Sequence, residues 1–421
     1  MEFKREQYLD KLIRKQHNHL IKTVTGMRRV GKSYLVFTLF KNHLLSQGIK
    51  SSQIIEMSFD VFENLRFRDP NEFYPYVKAL IKDNKMYYVL LDEIQLLDKF
   101  ESVLNGLLRM PNVDLYVTGS NARFLSKDVI TEFRGRGDEI YVSPLSFSEF
   151  MTEYKGTMYD GYKEYILYGG LPPVVLLRTG EERIVLLKSL FEETYIKDVM
   201  NRNNLEDKDT IDDILDFLSS SIGSLTNPTK LSNTFKSVKH KDISDKTISK
   251  YINCLCDAFL ISRAARYNVK GKGYIGSPLK YYFSDIGLRN ARINFRQLEE
   301  AHTMENIIYN ELVSRGYIVD VGVVPISEKD EVSGKFSRRQ LEIDFVCNKG
   351  SVRYYIQSAL NVDEKEKLEQ EKRPFSKVDD SFKKIIIVKD TPAPRYTDEG
   401  ILIMSVFDFL LNSDSLEIKA I

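Results

Sequence analysis

The apolar residues of this chain fall into runs typical of buried strands, followed by stretches typical of amphipathic helices. A short β-branched run at residues 21–24 predicts a strand, and two nearly continuous apolar runs at residues 86–91 and 113–117 predict buried strands, the first of them typical of a parallel strand that is buried on both faces. Between residues 180 and 218 the apolar positions recur instead at helical spacing. We therefore expect an α/β domain at the start of the chain and a helical segment after it.

A glycine-rich loop follows the β-branched run. Residues 24–33 read VTGMRRVGKS and fit the pattern G-x-x-x-x-G-K-[ST] between a strand and a helix. Gly26 and Gly31 let the backbone turn its N–H groups toward an anion, so the loop is predicted to bind phosphate. Lys32 is expected to reach the β- and γ-phosphates, and Ser33 to hold Mg²⁺ through its hydroxyl. The predicted nucleotide-contacting residues are Gly26, Met27, Arg28, Arg29, Val30, Gly31, Lys32, Ser33 and Tyr34.

Polar residues end the other two apolar runs, where ligands bind in open parallel sheets. Asp92 and Glu93 follow the second run. We expect Asp92 to join the Mg²⁺ shell, and Glu93 to orient and deprotonate the attacking water. Ser120 and Asn121 follow the third run and are candidates for sensing the γ-phosphate, although a plain turn fits that segment equally well. The three strand ends together predict a catalytic site for ATP hydrolysis with Mg²⁺.

Composition narrows the class of protein. The chain has 421 residues, enough for two or three domains, and a formal net charge of +1, which gives no overall attraction to nucleic acid or membrane. No apolar stretch approaches the roughly 18 residues that span a bilayer, and no signal-peptide pattern is present. The three cysteines, Cys254, Cys256 and Cys347, are too few and wrongly spaced for a disulfide framework or a zinc site. We expect a cytoplasmic protein without a membrane partner.

The phosphate loop and its companion strand ends resemble those of AAA-type ATPases. Over most of its length, the chain resembles one prokaryotic family of these ATPases, whose members have a nuclease-like C-terminal domain. The more specific signals of this resemblance are PLSF at residues 144–147 and YGGLP at residues 168–172, with further matching segments at 280–288 and 305–316. The resemblance makes Arg136, or otherwise Arg134, a candidate for contacting the γ-phosphate; a solvated basic loop is the alternative.

Breaks in the pattern predict four segments: a P-loop NTPase parallel sheet at 1–150, a helical lid or connector at 151–220, a winged helix-turn-helix at 221–291, and an α/β domain at 292–421. In the winged helix, the candidates for reading a DNA major groove are Lys246, Thr247, Ser249 and Lys250. Lys270 and Lys272 would contact phosphates from the wing. The alternative is a winged helix that packs only against protein.

The last segment resembles the restriction-endonuclease-like fold. That resemblance makes Glu305 or Glu311 the helix acid and Asp344 the strand acid, with Gln357 in the place of a glutamate and Ala359 in the place of a lysine. Gln357 offers a metal less negative charge than glutamate, and Ala359 cannot help to activate a nucleophile. We expect a catalytically degraded scaffold that binds protein or nucleic acid.

The sequence thus predicts an ATP-binding and ATP-hydrolysing molecular switch whose nucleotide state repositions C-terminal interaction domains. The alternative is a DNA-binding regulator or defence-type factor in which ATP gates binding, and a metal-dependent nuclease is the weaker third possibility. ATP is the expected ligand, with DNA and an unidentified protein as possible partners. The pattern is compatible with a monomer, a dimer or a ring.

Overall fold

The structure is a computed structural model that describes residues 3–119, 137–296, 298–329 and 336–418. It divides into two compact units. The first comprises Met1–Pro144 with Asp257–Phe259, and the second comprises Leu145–Cys256 with Leu260–Ile421. Within the described ranges, no helix is both long enough and apolar enough to cross a membrane.

The first unit is built on a five-stranded sheet in which all strand pairs are parallel. The spatial order is β2-β3-β4-β1-β5. The strands are β1 (Ile21–Thr25), β2 (Ile54–Ser58), β3 (Tyr87–Asp92), β4 (Val113–Thr118) and β5 (Gly137–Tyr141). Every residue of β1, β3 and β4 is buried, as expected of the two apolar runs that form β3 and β4; β1 is buried as well, although it contains Lys22 and Thr23. The parallel α/β core predicted from the sequence is confirmed.

Helices connect these parallel strands. The α-helices of this unit are Glu6–Arg14, Lys32–Tyr34, Lys41–Ser46, Pro70–Leu80 and Phe100–Leu108, with a π-helical stretch at Leu35–Phe40 and 3₁₀ turns at Ser51–Gln53, Phe62–Arg68 and Ile94–Leu96. Leu91 of β3 and Leu115 of β4 pack with Phe73 and Leu104 from two of the helices in one fully buried apolar cluster. This core fixes the strand ends that carry the candidate site.

A buried ion pair joins two neighbouring strands of the first unit. The Lys22 ammonium on β1 bonds to the Asp114 carboxylate on β4, and both side chains are almost completely buried. Asp114 also accepts hydrogen bonds from the Tyr116 hydroxyl at 2.8 Å and from the His17 N–H at 3.2 Å. Because a buried charge without a partner is costly, this ion pair favours the pairing of β1 with β4.

The second unit contains an eight-stranded mixed sheet, in the order β12-β13-β11-β10-β9-β8-β6-β7. The strands are β6 (Ile261–Asn268), β7 (Gly273–Phe283), β8 (Ile318–Lys329), β9 (Phe336–Lys349), β10 (Val352–Ala359), β11 (Lys383–Val388), β12 (Arg395–Tyr396) and β13 (Leu402–Ser405). The β6–β7 hairpin belongs to this sheet because β6 pairs in parallel with β8. The segments predicted as the wing and the nuclease-like domain therefore share one sheet, and their family assignments stay predictions.

Helices of the second unit precede, interrupt and follow that sheet. The α-helices are Phe147–Glu153, Met158–Tyr168, Pro172–Val175, Gly180–Ser189, Lys197–Asn203, Lys208–Ser220, Pro228–Val238, Asp245–Asp257, Ile286–Arg292, Glu300–Ser314, Lys365–Lys372 and Val406–Leu411. A π-helical stretch covers Leu190–Ile196, and 3₁₀ turns cover Phe375–Lys377 and Ser415–Glu417. Helix Glu300–Ser314 supplies Met304, Ile308 and Leu312 to a core shared with the sheet.

The family-like segments of the second unit meet around one buried carboxylate. Asp285 accepts the N–H of Gly170 at 2.7 Å and caps the helix Ile286–Arg292 through the N–H of Leu288 at 3.1 Å. Burial raises the pKa of Asp285 to about 6, against the opposing effect of these N–H donors. A Cβ at Gly287 would lie 2.0 Å from the Tyr168 carbonyl oxygen. These segments therefore have a packing role.

Candidate ATPase site

The phosphate-loop geometry depends on two glycines. Gly26 has φ of 135° and Gly31 has φ of 94°, values that residues with a Cβ rarely adopt. At Gly26 a Cβ would also lie 2.2 Å from the Val142 carbonyl oxygen, so a side chain does not fit there. The loop therefore takes a path that only this glycine spacing permits.

The lysine of the loop is folded against its own backbone. The Lys32 ammonium donates hydrogen bonds to the carbonyl oxygens of Gly26 and Met27, both at 2.9 Å, and its side chain is buried. Two carbonyls thus hold a cation inside the loop whose N–H groups are predicted to face phosphate. An entering phosphate would give Lys32 a charged acceptor in exchange for these neutral ones.

The loop residues divide by burial into core and surface positions. Met27 and Val30 are fully buried, so any contribution they make to nucleotide binding comes from the backbone. Arg29 is exposed and has φ of 63°, which marks a sharp turn at that position. Arg28 and Tyr34 are half-buried.

Asp92 is the meeting point of three strand ends. Its carboxylate accepts hydrogen bonds from the Ser33 hydroxyl at 2.9 Å, from the Thr118 hydroxyl, and from the Ser58 hydroxyl at 3.3 Å. In the sheet, β4 lies between β1 and β3. Thr118, at the end of β4, therefore has the phosphate loop after β1 on one side and Asp92 on the other. The Ser33 hydroxyl and the Asp92 carboxylate are oxygen donors of the kind that Mg²⁺ prefers, so these two residues fit that ion.

Glu93 is held in an unusual backbone conformation directly after Asp92. Its φ of 50° is uncommon for a residue with a side chain, and its N–H donates to the Thr118 hydroxyl at 3.1 Å. The Gln95 side-chain amide donates to the Glu93 carboxylate. The strained position is typical of functional sites, and it keeps a carboxylate one residue away from the predicted metal ligand.

The structure therefore brings Ser33, Asp92 and Glu93 into one hydrogen-bonded network. Sequence reasoning missed Thr118 and Ser58, although each is the polar last residue of an apolar strand. The other predicted contacts, Ser120, Asn121, Arg134 and Arg136, lie outside the described residues.

A second polar cluster forms where the resemblance predicted a degraded nuclease site. The Lys280 ammonium of β7 lies 2.9 Å from a Glu305 carboxylate oxygen, 2.8 Å from Glu342 and 3.7 Å from Asp344. Glu305 thus takes the place predicted for the helix acid, whereas Glu311 pairs with Arg315 at 2.7 Å. Lys280, which the sequence reasoning did not place there, is the centre of the cluster.

Gln357 and Ala359 complete the surroundings of that cluster. The Gln357 side-chain oxygen accepts the Asp344 N–H at 2.7 Å, and its amide donates to Glu371 at 3.0 Å. Ala359 is buried against the apolar core.

The acids of this cluster titrate differently. Burial raises the pKa of Asp344 to about 7, with the nearby Glu305 carboxylate acting in the same direction. Burial also acts to raise the pKa of Glu305, but the Lys280 ammonium and several hydrogen bonds outweigh it and leave that pKa lowered.

The predicted DNA-reading residues lie on described elements of the second unit. On helix Asp245–Asp257, Lys246 and Lys250 are exposed, while Thr247 and Ser249 are half-buried. The wing residues Lys270 and Lys272 are exposed in the turn between β6 and β7.

Comparison with known proteins gives a relative over nearly the full length. The chain is 33% identical over 413 residues to an uncharacterized protein of Haemophilus influenzae, covering 97% of this chain and 98% of that protein. The chain belongs to the same family as this protein. Residues 18–151 of the chain match the family described as an AAA domain, which supports the predicted AAA-type domain. Residues 159–299 match a domain of unknown function, DUF8612.

The chain also has a more distant similarity to a second uncharacterized protein. The uncharacterized protein MJ1544 of Methanocaldococcus jannaschii is 25% identical over 340 residues, covering 78% of this chain and 74% of that protein. Among solved structures, the Aeropyrum pernix ORC1 protein in complex with DNA aligns over 70% of this chain and 93% of its own, with 13% identity and a TM-score of 0.29. That score is too low for a structural argument.

Proposed function

We propose that this protein binds and hydrolyses ATP and that its nucleotide state acts as a molecular switch on the second unit. The observation that carries the proposal is the hydrogen bond between the loop serine, Ser33, and Asp92 at the end of β3. It joins the two polar groups that a nucleotide-bound Mg²⁺ requires. The AAA family match at residues 18–151 supports the same chemistry.

Each polar residue of the site receives a role from its position. Lys32 would leave the Gly26 and Met27 carbonyls and neutralise the β- and γ-phosphates. Ser33 and Asp92 would hold Mg²⁺, which when bound offsets phosphate charge. Glu93 would orient and deprotonate the attacking water. Thr118 would position Asp92 and Glu93, because its hydroxyl bonds to both residues.

The test of the chemistry is ATP turnover by the purified full chain with Mg²⁺. We expect Lys32→Ala to lose tight nucleotide binding, and Glu93→Gln to bind ATP but turn over about 10²- to 10⁴-fold more slowly, the usual contribution of a general base. Lys41→Ala and Glu72→Gln are matched controls, since Lys41 pairs at the surface with Glu56 and Glu72 is exposed. Normal turnover in both site variants would refute the assignment.

The switch is tested on the second unit by hydrogen exchange. Glu93→Gln with ATP should hold one nucleotide state and wild type with ADP the other. The proposal predicts that exchange rates in residues 145–256 or 260–418 differ between these two states. Equal exchange throughout these residues would leave an ATPase without the proposed switch.

ATP-gated binding of duplex DNA is the second candidate function. It is favoured by the exposure of Lys246 and Lys250 one helical turn apart on helix Asp245–Asp257. Replacing these two lysines and the wing lysines Lys270 and Lys272 with Glu should abolish a salt-dependent shift of duplex DNA. If the wild type binds no duplex at low salt in either nucleotide state, this candidate fails.

A further inference from the structure

Four side chains in the second unit form a surface that we call the aromatic–arginine patch: Tyr267, Tyr274, Arg353 and Phe382. Tyr267 and Tyr274 are direct partners on β6 and β7, and their ring centroids lie 5.5 Å apart at 67°. The guanidinium carbon of Arg353 on β10 lies 5.2 Å from the Tyr267 ring centroid and 5.1 Å from the Phe382 ring centroid. Both distances are in the cation–π range.

The patch presents its rings to solvent while their orientations are fixed. Tyr274 is 67% exposed, yet its hydroxyl donates to Asp320 at 3.2 Å. Phe382 is 38% exposed. Arg353 is held by a hydrogen bond from its Nε to the Asn348 side-chain oxygen at 2.7 Å. A flat ring and a flat cation are therefore oriented before any ligand arrives, which reduces the entropy lost on binding.

Two lysines adjoin the patch in the turn between β6 and β7. Lys270 and Lys272 are exposed in the adjoining hairpin turn, and no carboxylate in the described part of the chain pairs with either. Two carboxylates also belong to these surroundings: Asp320 accepts from Tyr274, and Asp380 accepts from the Tyr355 hydroxyl at 2.6 Å. With Arg353, the three named cations outnumber them. Lys270 and Lys272 precede Tyr274, the most exposed ring, by four and two residues along the chain.

We propose that the aromatic–arginine patch binds single-stranded nucleic acid. An unpaired base would stack on the Tyr274 ring, and Lys270 and Lys272 would contact the phosphates beside it. Single strands fit better than a duplex, because the base faces that a ring can stack on are covered in a double helix. The inference goes beyond ATP hydrolysis, since the patch and the ATPase site lie in different units.

The test uses the full chain and a fluorescein-labelled oligothymidine of about 20 nucleotides, longer than the span that one single-strand site usually covers, with binding followed by fluorescence anisotropy. Tyr274→Ala should weaken binding by about 5- to 150-fold, as expected when one base–aromatic stack is removed. Tyr274→Phe keeps the ring but loses the bond to Asp320, so it should bind more tightly than Tyr274→Ala and no more tightly than the wild type. Tyr159→Ala is the matched control, because Tyr159 is a 50% exposed tyrosine of the same unit outside the patch.

The two lysines are tested by salt dependence. Each lysine that neutralises one phosphate of a single strand adds about 0.7 to the slope of log affinity against log salt concentration. Replacing both lysines with Gln should therefore reduce that slope by about 1.4. Thermal unfolding of each variant checks the fold, which the exposure of these three side chains should preserve.

Three results would overturn the proposal: no binding of the oligonucleotide by the wild type at low salt, unchanged affinity of Tyr274→Ala, or preference for a duplex without dependence on Tyr274. The last result would instead assign binding to helix Asp245–Asp257. Failure of the ATPase proposal is distinguishable, because Lys32→Ala should still bind oligothymidine and Tyr274→Ala should keep the ATP turnover of the wild type.

Discussion

The Thr118 hydroxyl donates to the Asp92 carboxylate and accepts the N–H of Glu93. One side chain from β4 thus contacts both acidic residues at the end of β3, although no charge marks it in the sequence. The geometry is that of a residue that orients a metal ligand from behind.

Removal of this hydroxyl should weaken the response to Mg²⁺. We expect Thr118→Val, which keeps the shape of the side chain, to lower metal affinity or turnover by about 10- to 100-fold. The measurement is the Mg²⁺ concentration that gives half-maximal ATP turnover. Thr118→Ser retains the hydroxyl and should remain close to wild type; a Val variant with unchanged Mg²⁺ dependence would show that Thr118 has only a packing role.

The Lys22–Asp114 pair predicts a large loss of stability when one partner is removed. Lys22→Met leaves the Asp114 carboxylate buried without its cation, so we expect the free energy of unfolding to fall by about 3–5 kcal/mol. Denaturant titration measures this change. The double variant Lys22→Met/Asp114→Leu removes both charges and should lose less; if it is less stable than the single variant, burial of a lone charge is not the cause.

Asp344 predicts a pH dependence of stability. Its folded-state pKa, about 7, lies above that of an ordinary aspartate, so the carboxyl ionises more easily in the unfolded chain. The stability that the protonated Asp344 carboxyl contributes to the folded state is therefore fully present at low pH. It is lost as the pH rises from about 4 toward 7. Relative to Asp344→Asn, the wild type should lose stability over that window, as measured by urea titration at about pH 4.5 and about pH 7.5.

The control for this pH dependence is Asp209→Asn, which changes an exposed carboxyl in the same unit. It measures the change that removal of an exposed carboxyl produces between the two pH values, and the change for Asp344→Asn should be larger. A constant difference for Asp344→Asn would contradict the raised pKa.

Gly287 should not tolerate even the smallest side chain. Its Cβ would lie 2.0 Å from the backbone oxygen of Tyr168, so Gly287→Ala forces a backbone shift that we expect to cost about 1–3 kcal/mol of stability. Gly276→Ala is the matched control, because nothing lies within 4 Å of a Cβ built there. Equal melting temperatures for the two variants would contradict this packing.

Sequence reasoning succeeded where the signal is local. The spacing of Gly26, Gly31, Lys32 and Ser33 follows from the conformation of one loop, and the apolar runs of β3 and β4 follow from burial on both faces. The strand order then decides which distant residues meet, and no local pattern contains that order. Thr118 was missed for this reason.

Lys280 illustrates the same limit in the second unit. It is 64 residues from Asp344 along the chain, counted from their positions, and it reaches the acids only through the shared sheet of β7 and β9. The resemblance placed Glu305 or Glu311 together with Asp344 and Gln357, and in the structure Asp344 lies near Lys280, which also pairs with Glu305, and bonds to Gln357. The resemblance offered no reason to expect the Lys280 ammonium group, from the preceding hairpin, at the centre of these acids.

The parallel pairing of β6 with β8 has a practical consequence for dissecting this protein. A fragment that ends at residue 291 would remove β8 and leave the Arg266–Asn268 edge of β6 with unpaired backbone groups, a known route to aggregation. A fragment that begins at residue 292 would expose the matching edge of β8. The boundary after Pro144 cuts neither sheet and leaves only Asp257–Phe259 of the first unit on the other fragment, so it is the place to divide the chain when the two proposed activities are to be assayed separately.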